Sequence, residues 1–135
     1  MVPIDASSFD SRIYVAAKAP ADEDDAMVEG ESEEGGRIGA VRVELDGSMV
    51  DFALFVATHE LFHTLGAADE YDPVTGHTLF PGGLADPARS PPLPQAFAEI
   101  MARNRPVGLG VEVPPESLDE LAVGPETAKA IGWAR

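Results

Sequence analysis

The sequence predicts an α+β fold in which a small twisted sheet packs on one central helix and an irregular part follows. Strand-like patterns occur before residue 46, a helical apolar pattern covers 49–65, and nine of the twelve prolines lie in 73–115. A chain of 135 residues is the size of a single domain. Residues 1–135 are therefore predicted to form one domain.

Two segments have the composition of strands. Residues 12–17 are rich in β-branched and aromatic side chains and end before Pro20. Residues 37–45 alternate Val41, Val43 and Leu45 with charged residues, which is typical of a strand buried on one face. Both segments are predicted to belong to the sheet.

The chain between these strands is strongly acidic. Residues 22–34 contain eight Asp or Glu and no Lys or Arg, and glycines interrupt 22–36 three times. Like-charge repulsion therefore predicts a flexible, solvated loop over 22–36. A Ca²⁺ site is the alternative because carboxylates suit that ion, although the D-x-D-x-D-G order of a calcium loop is missing.

Composition excludes several classes of function. A formal net charge of −15 argues against binding to nucleic acid or to an anionic membrane, because both would be repelled. The longest apolar run, 52–57, is far shorter than the roughly 20 residues of a membrane span. With no cysteine, the chain has neither disulfides nor thiolate ligands, and no export signal is visible at its start.

The pattern over 49–65 predicts the central helix. Ser48 followed by Asp51 is a capping signal at its start, and Gly66 is a typical left-handed stop. Apolar residues cover most of the circumference, so the helix is expected to be buried nearly all round: Phe52, Phe55, Val56, Leu61, Phe62 and Leu65.

This helix carries a candidate metal site. His59 and His63 are four residues apart, so both imidazoles leave the same face and can converge on one Zn²⁺. Glu60 points beside the metal, where a general base would take a proton from a metal-bound water. After Gly66 turns the chain, Asp69 can supply the third ligand and leave a fourth position open, which is typical of catalytic zinc.

Other residues leave alternatives open. The third ligand could instead come from a distant glutamate, of which Glu99, Glu112 and Glu116 are the candidates. The Pro/Gly-rich region 70–115 is predicted to be a long loop, followed by short helices at 116–121 and 126–131. In this loop His77 is expected to be exposed, and Tyr71 either contacts the site or anchors the loop.

The run His-Glu-Leu-Phe-His-Thr-Leu-Gly-Ala-Ala-Asp, from His59 to Asp69, resembles the zinc signature HExxHxxGxx(H/D) of the metzincin metallopeptidases, in particular the snapalysin-type branch. The resemblance implies a zincin-like fold, a secreted or extracytoplasmic location, and a Met-turn whose methionine is Met101. Two features depart from the family. Metzincins usually have more sheet before the zinc helix, and Arg103 stands where some of them carry a tyrosine.

Together these features predict a zinc-dependent endopeptidase. His59, His63 and Asp69 bind the zinc, Glu60 is the base, and a peptide or protein substrate lies along the strand at 12–17 or at 37–45. One alternative is a metzincin-like zinc-binding module without peptidase activity. The other is an acidic interaction domain in which the HExxH motif is accidental.

Overall fold

A computed structural model describes residues 9–18, 28–32, 35–44 and 50–134 of the chain. Their architecture is a small α+β fold with a central helix, which confirms the predicted class. In chain order the elements are β1 (Arg12–Lys18), β2 (Val28–Ser32), β3 (Ile38–Glu44), α1 (Val50–Thr64), β4 (Ala98–Glu99), β5 (Arg105–Gly108), β6 (Val111–Val113), a 3₁₀ helix (Leu118–Glu120), β7 (Leu121–Ala122) and α2 (Pro125–Ala130).

The first three strands form one sheet with the order β1-β3-β2. β1 is parallel to β3, and β2 is antiparallel to it with Val28 opposite Val43 and Ser32 opposite Gly39. The predicted alternation of β3 is confirmed, because Val41 and Val43 are buried while Arg42 is exposed. β3 is paired on both sides, so it has no free edge along which a substrate could bind. The prediction that the strand at 37–45 can bind the substrate is therefore wrong.

The predicted flexible loop over 22–36 is also wrong for residues 28–32, which form β2. Pairing with β3 satisfies the backbone groups on one side of this strand, while Glu29 and Glu31 remain exposed to solvent. Glu29 also lies 3.8 Å from Arg42 on β3. Residues 22–27 and 33–34, with the carboxylates of the Ca²⁺ alternative, lie outside the described residues.

Helix α1 lies close to its predicted position, and its proposed cap Ser48 is outside the described residues. The helix is not buried all round, however, because Val50, Phe52 and Leu54 are each close to half exposed. The sheet and the C-terminal part cover only one face of its first turns. From Phe55 onwards the helix packs into a core cluster that consists of Phe55, Phe62, Ala67, Ile100 and Met101.

The region 70–115 is mostly irregular, as predicted, but it contains three short strands. β5 and β6 form an antiparallel pair, and β4 pairs in parallel with β7. The 3₁₀ helix lies within the predicted segment 116–121, and α2 covers most of the predicted segment 126–131 but begins one residue earlier, at Pro125. None of the helices in the described ranges has the length and apolar character needed to cross a membrane.

Candidate metal centre

The end of α1 directs the chain back towards its own histidines. Gly66 has a φ of +103°, and its N–H donates to the carbonyl of His63 at 2.9 Å. The Ala67 N–H donates to the carbonyl of Phe62 at 3.0 Å, which completes a Schellman motif. Glycine adopts this left-handed conformation without steric cost, so the turn predicted at Gly66 is present. Asp69 follows two residues after the motif.

The three predicted ligands converge at a single point. Asp69 Oδ1 lies 3.0 Å from His59 Nε2 and 3.2 Å from His63 Nε2. The two Nε2 atoms are themselves 3.0 Å apart. Ligands placed 2.0–2.1 Å from a tetrahedral zinc are about 3.3 Å from one another, so this triangle of atoms is close to the size that zinc needs.

Hydrogen bonds on the far side of each ring define the tautomers. Nδ1 of His59 donates to the carbonyl of Ile100 at 3.0 Å, and Nδ1 of His63 donates to the carbonyl of Ala67 at 2.8 Å. Neutral imidazoles with the proton on Nδ1 present a lone pair at Nε2. The triangle therefore brings together three acceptors, an arrangement that is unfavourable unless a proton or a cation lies between them.

The pKa values of the cluster agree with this requirement. The hydrogen bond to Asp69 raises the pKa of His63, although burial acts in the opposite direction. Burial pushes the pKa of Asp69 upward, but the hydrogen bonds from His59 and His63 together outweigh it and hold that pKa well below its usual range. A proton on His63 is therefore more favourable than on a free histidine side chain.

Glu60 is buried beside the triangle, with 5% of its surface exposed. The hydroxyl of Ser32, on β2, donates to Glu60 Oε2. Gly30 leaves room for the same side chain, since a Cβ there would lie 2.8 Å from both Cγ and Cδ of Glu60. Donor atoms of His59, Glu60 and His63 all lie within 4.8 Å of one another, but Asp69 is closer to both rings. Glu60 is therefore buried next to His59 and His63, and its role as the base stays a prediction.

The predicted Met-turn is a buried turn at residues 99–102. The Ala102 N–H donates to the carbonyl of Glu99 at 3.0 Å, and Met101 is fully buried in the core cluster. The Glu99 carboxylate is also fully buried, and it accepts hydrogen bonds from the N–H groups of Met101 at 2.6 Å and of Gly124 at 3.0 Å. The Glu99 carboxylate thereby stabilises this turn. The carbonyl of Ile100, in the same turn, orients the ring of His59. This role of Glu99 was not predicted from the sequence.

The alternative third ligands are not at the site. The Glu99 carboxylate is occupied by backbone N–H groups, Glu112 accepts from the Thr78 N–H, and Glu116 is exposed. In the described part of the chain, Asp69 alone brings a carboxylate within 4 Å of His59 and His63. His77 is exposed, as predicted, and lies 3.7 Å from Glu112.

A cleft of about 340 Å³ opens beside the triangle. His59 and Glu60 line it on one side, Phe52 and Phe55 form an aromatic wall, and Tyr71 lies opposite. The centres of the Tyr71 and His59 rings are 6.4 Å apart. Burial raises the pKa of the Tyr71 hydroxyl, and a hydrogen bond to Asp69 acts in the same direction. Tyr71 also pairs with Thr78, so it both contacts the site and anchors the loop.

No protein-family model, no curated protein and no solved structure matches this chain.

Proposed function

We propose that this protein is a zinc-dependent endopeptidase with a metzincin-like fold. Its zinc ligands are His59, His63 and Asp69, and its general base is Glu60. The observation that carries the proposal is the triangle of His59 Nε2, His63 Nε2 and Asp69 Oδ1, with all three separations between 3.0 and 3.2 Å. Two oriented neutral imidazoles and one carboxylate are a donor set that suits zinc.

The number of donors supports a catalytic site rather than a structural one. Three protein ligands leave one position for water, whereas structural zinc sites have four protein ligands. When bound at such a site, zinc lowers the pKa of a water molecule towards about 7 and polarises a substrate carbonyl. The cleft beside His59 and Glu60 gives a substrate access to that position.

Glu60 has the surroundings that a general base requires. Ser32 holds one carboxylate oxygen by a hydrogen bond, which fixes the orientation of the side chain. The carboxylate lines the cleft, where it can accept a proton from water and later donate it to the leaving amine. Its burial keeps competing solvent away during both transfers.

Strand β2 is the best candidate for binding the substrate backbone. Among the described residues it is an edge strand, and its residues Gly30 and Ser32 contact Glu60. An extended peptide can add to such an edge by main-chain hydrogen bonds, which would lay its scissile bond beside the base. At the other edge of the same sheet, β1 makes no hydrogen bond to Glu60 in the described ranges and is the weaker candidate.

Cleavage of an unstructured protein tests the proposal. Wild-type protein is expected to cleave casein, to lose this activity with a chelator and to regain it when zinc is restored. Glu60→Gln should retain its zinc and lose turnover by about 10²- to 10⁴-fold, because only the proton transfer is removed. Glu126→Gln, at an exposed carboxylate on α2, is the control and should remain active.

Two results would contradict the proposal. Glu60→Gln that cleaves as fast as the wild type would exclude Glu60 as the base. Wild-type protein that binds zinc and cleaves no peptide bond would instead support the binding-module alternative.

A further inference from the structure

A cation faces the same cleft at some distance from the metal ligands. Arg103 lines the 340 Å³ cleft and also a neighbouring hollow of about 450 Å³. Its guanidinium carbon lies 5.7 Å from the centre of the Tyr71 ring, and that ring is 6.4 Å from the ring of His59. Arg103 is therefore joined to the metal centre through one aromatic side chain.

The guanidinium of Arg103 has no anionic partner within the described ranges. No carboxylate oxygen lies within 4 Å of it there, whereas Arg37 and Arg42 each have one, in Asp10 and Glu29. Its contact with Tyr71 is made over the ring face, which leaves the N–H groups at its edge free to donate. Arg12, Arg89 and Arg105 also have no such carboxylate in the described ranges, so what distinguishes Arg103 is its position in the cleft beside the candidate metal centre.

We propose that Arg103 binds a carboxylate of the substrate, either an acidic side chain or the chain terminus, and so selects the bond that is cleaved. A guanidinium binds a carboxylate through two parallel hydrogen bonds, and the Arg103 side chain is exposed at the cleft, where a substrate can reach it. Asn104 lines both hollows and adds a side-chain amide that can donate to the same group. The inference rests on the proposed peptidase function.

The distances limit where the substrate carboxylate can lie. Taken end to end, the contacts from His59 through Tyr71 to Arg103 span at most about 12 Å, which an extended peptide covers in three to four residues at about 3.3 Å each. Directly beside the scissile bond, the carboxylates of Glu60 and Asp69 would repel an anion. We therefore expect the selected carboxylate two to four residues from the scissile bond, on one side only.

The overall charge of the protein opposes the expected preference for an acidic residue. With a net charge of −15, acidic peptides are repelled at long range, so a general attraction cannot produce a preference for Glu at one position. A set of peptides with one Glu moved along the chain, each paired with its Gln analogue, separates the local effect from the general one. Free and amidated C-termini distinguish the chain terminus from a side chain.

The expected result is a preference of roughly tenfold in kcat/KM for Glu over Gln, or for the free over the amidated terminus, at one position. Arg103→Ala should reduce this ratio to about one, and Arg103→Lys should retain part of it. Arg89→Ala, at an exposed arginine that does not line the cleft, is the control and should keep the full ratio. The same preference should appear in the Kd of the peptides for the inactive Glu60→Gln variant, measured by fluorescence anisotropy.

The outcomes separate this inference from the proposed function. If the wild type cleaves peptides with a ratio near one at every position, or if Arg103→Ala keeps the preference, the role of Arg103 is wrong and the peptidase stands. If the wild type cleaves no peptide and the Glu60→Gln variant binds none, both are wrong.

Discussion

The hydroxyl of Ser32, on the edge strand β2, donates a hydrogen bond to the carboxylate of Glu60, on helix α1. The two residues are 28 positions apart, and their contact joins the sheet to the candidate metal centre. Glu60 also lines the cleft. The strand proposed to hold the substrate therefore also orients the proposed base.

Ser32→Ala tests whether this hydrogen bond matters for turnover. A hydrogen bond to a charged group contributes about 1.5–3 kcal/mol, so turnover should fall by roughly ten- to a hundredfold while zinc content stays unchanged. Thr58→Ala is the matched control, because its hydroxyl bonds only to the backbone of its own helix. Casein cleavage and zinc analysis of the purified variants measure both quantities. Unchanged turnover in Ser32→Ala would rule out an orienting role.

Gly30→Ala tests the space that β2 leaves for Glu60. The new methyl group would lie 2.8 Å from Cγ and Cδ of Glu60, so the side chain must move. We expect turnover to fall by more than about tenfold with zinc retained, because the base is displaced and the ligands are not. Gly108→Ala, whose methyl group would meet Val111 at an ordinary 3.5 Å, should be unaffected. Full activity of Gly30→Ala is the result that would conflict with this geometry.

Glu99→Gln tests the support of the turn that carries Met101. An amide cannot accept all the backbone hydrogen bonds that the buried carboxylate accepts, so we expect a loss of about 1–3 kcal/mol in the free energy of unfolding. Zinc affinity should also fall by about 10- to 100-fold, because the Ile100 carbonyl orients His59. Urea unfolding and zinc competition measure these effects, with Glu126→Gln as the control. A variant as stable as the wild type would mean that Glu99 does not hold the turn.

The pH dependence of stability follows from two shifted pKa values in the metal-free protein. The raised pKa of His63 stabilises the fold below its usual value of 6.5, and this contribution is lost as the pH rises through the raised pKa. The lowered pKa of Asp69 stabilises the fold above its usual value of 3.8, and that contribution is lost as the pH falls towards the lowered pKa. Zinc needs neutral imidazoles, so its stabilising effect should increase with pH.

Thermal unfolding with a chelator and with zinc measures how far zinc raises the Tm at each pH. Between about pH 6 and about pH 8.5, the Tm of the metal-free protein should fall and the gap to the zinc-loaded protein should widen. His63→Ala should remove most of both effects. A gap that stays constant over this range would show that protons and zinc do not compete for His63.

The parts of the site that could be predicted from the sequence depend on local signals. The four-residue spacing of His59 and His63 fixes them on one face of α1, and Gly66 marks the turn that leads to Asp69. These relations involve neighbours along the chain. The extent of burial of α1 was overestimated because an apolar pattern does not show which side other elements cover, and Phe52 and Leu54 are exposed.

The parts that could not be predicted depend on contacts between distant segments. Strand β2 has an acidic, glycine-containing sequence typical of a loop, and it is a strand because β3 pairs with it. The contact of Ser32 with Glu60 exists only once that pairing is made. Glu99 has no sequence motif, and its role depends on the N–H groups of Met101, Ala102 and Gly124 that fold around it.

Zinc stoichiometry, measured by elemental analysis after dialysis against a weak chelator, tests the triangle of ligands most directly. We expect close to one zinc per chain in the wild type and in His77→Ala, whose histidine lies outside the triangle. His59→Ala, His63→Ala and Asp69→Ala should each lose most of the bound metal. Zinc-free wild-type protein, or zinc retained in all three ligand variants, would contradict the assignment of His59, His63 and Asp69 as a zinc site.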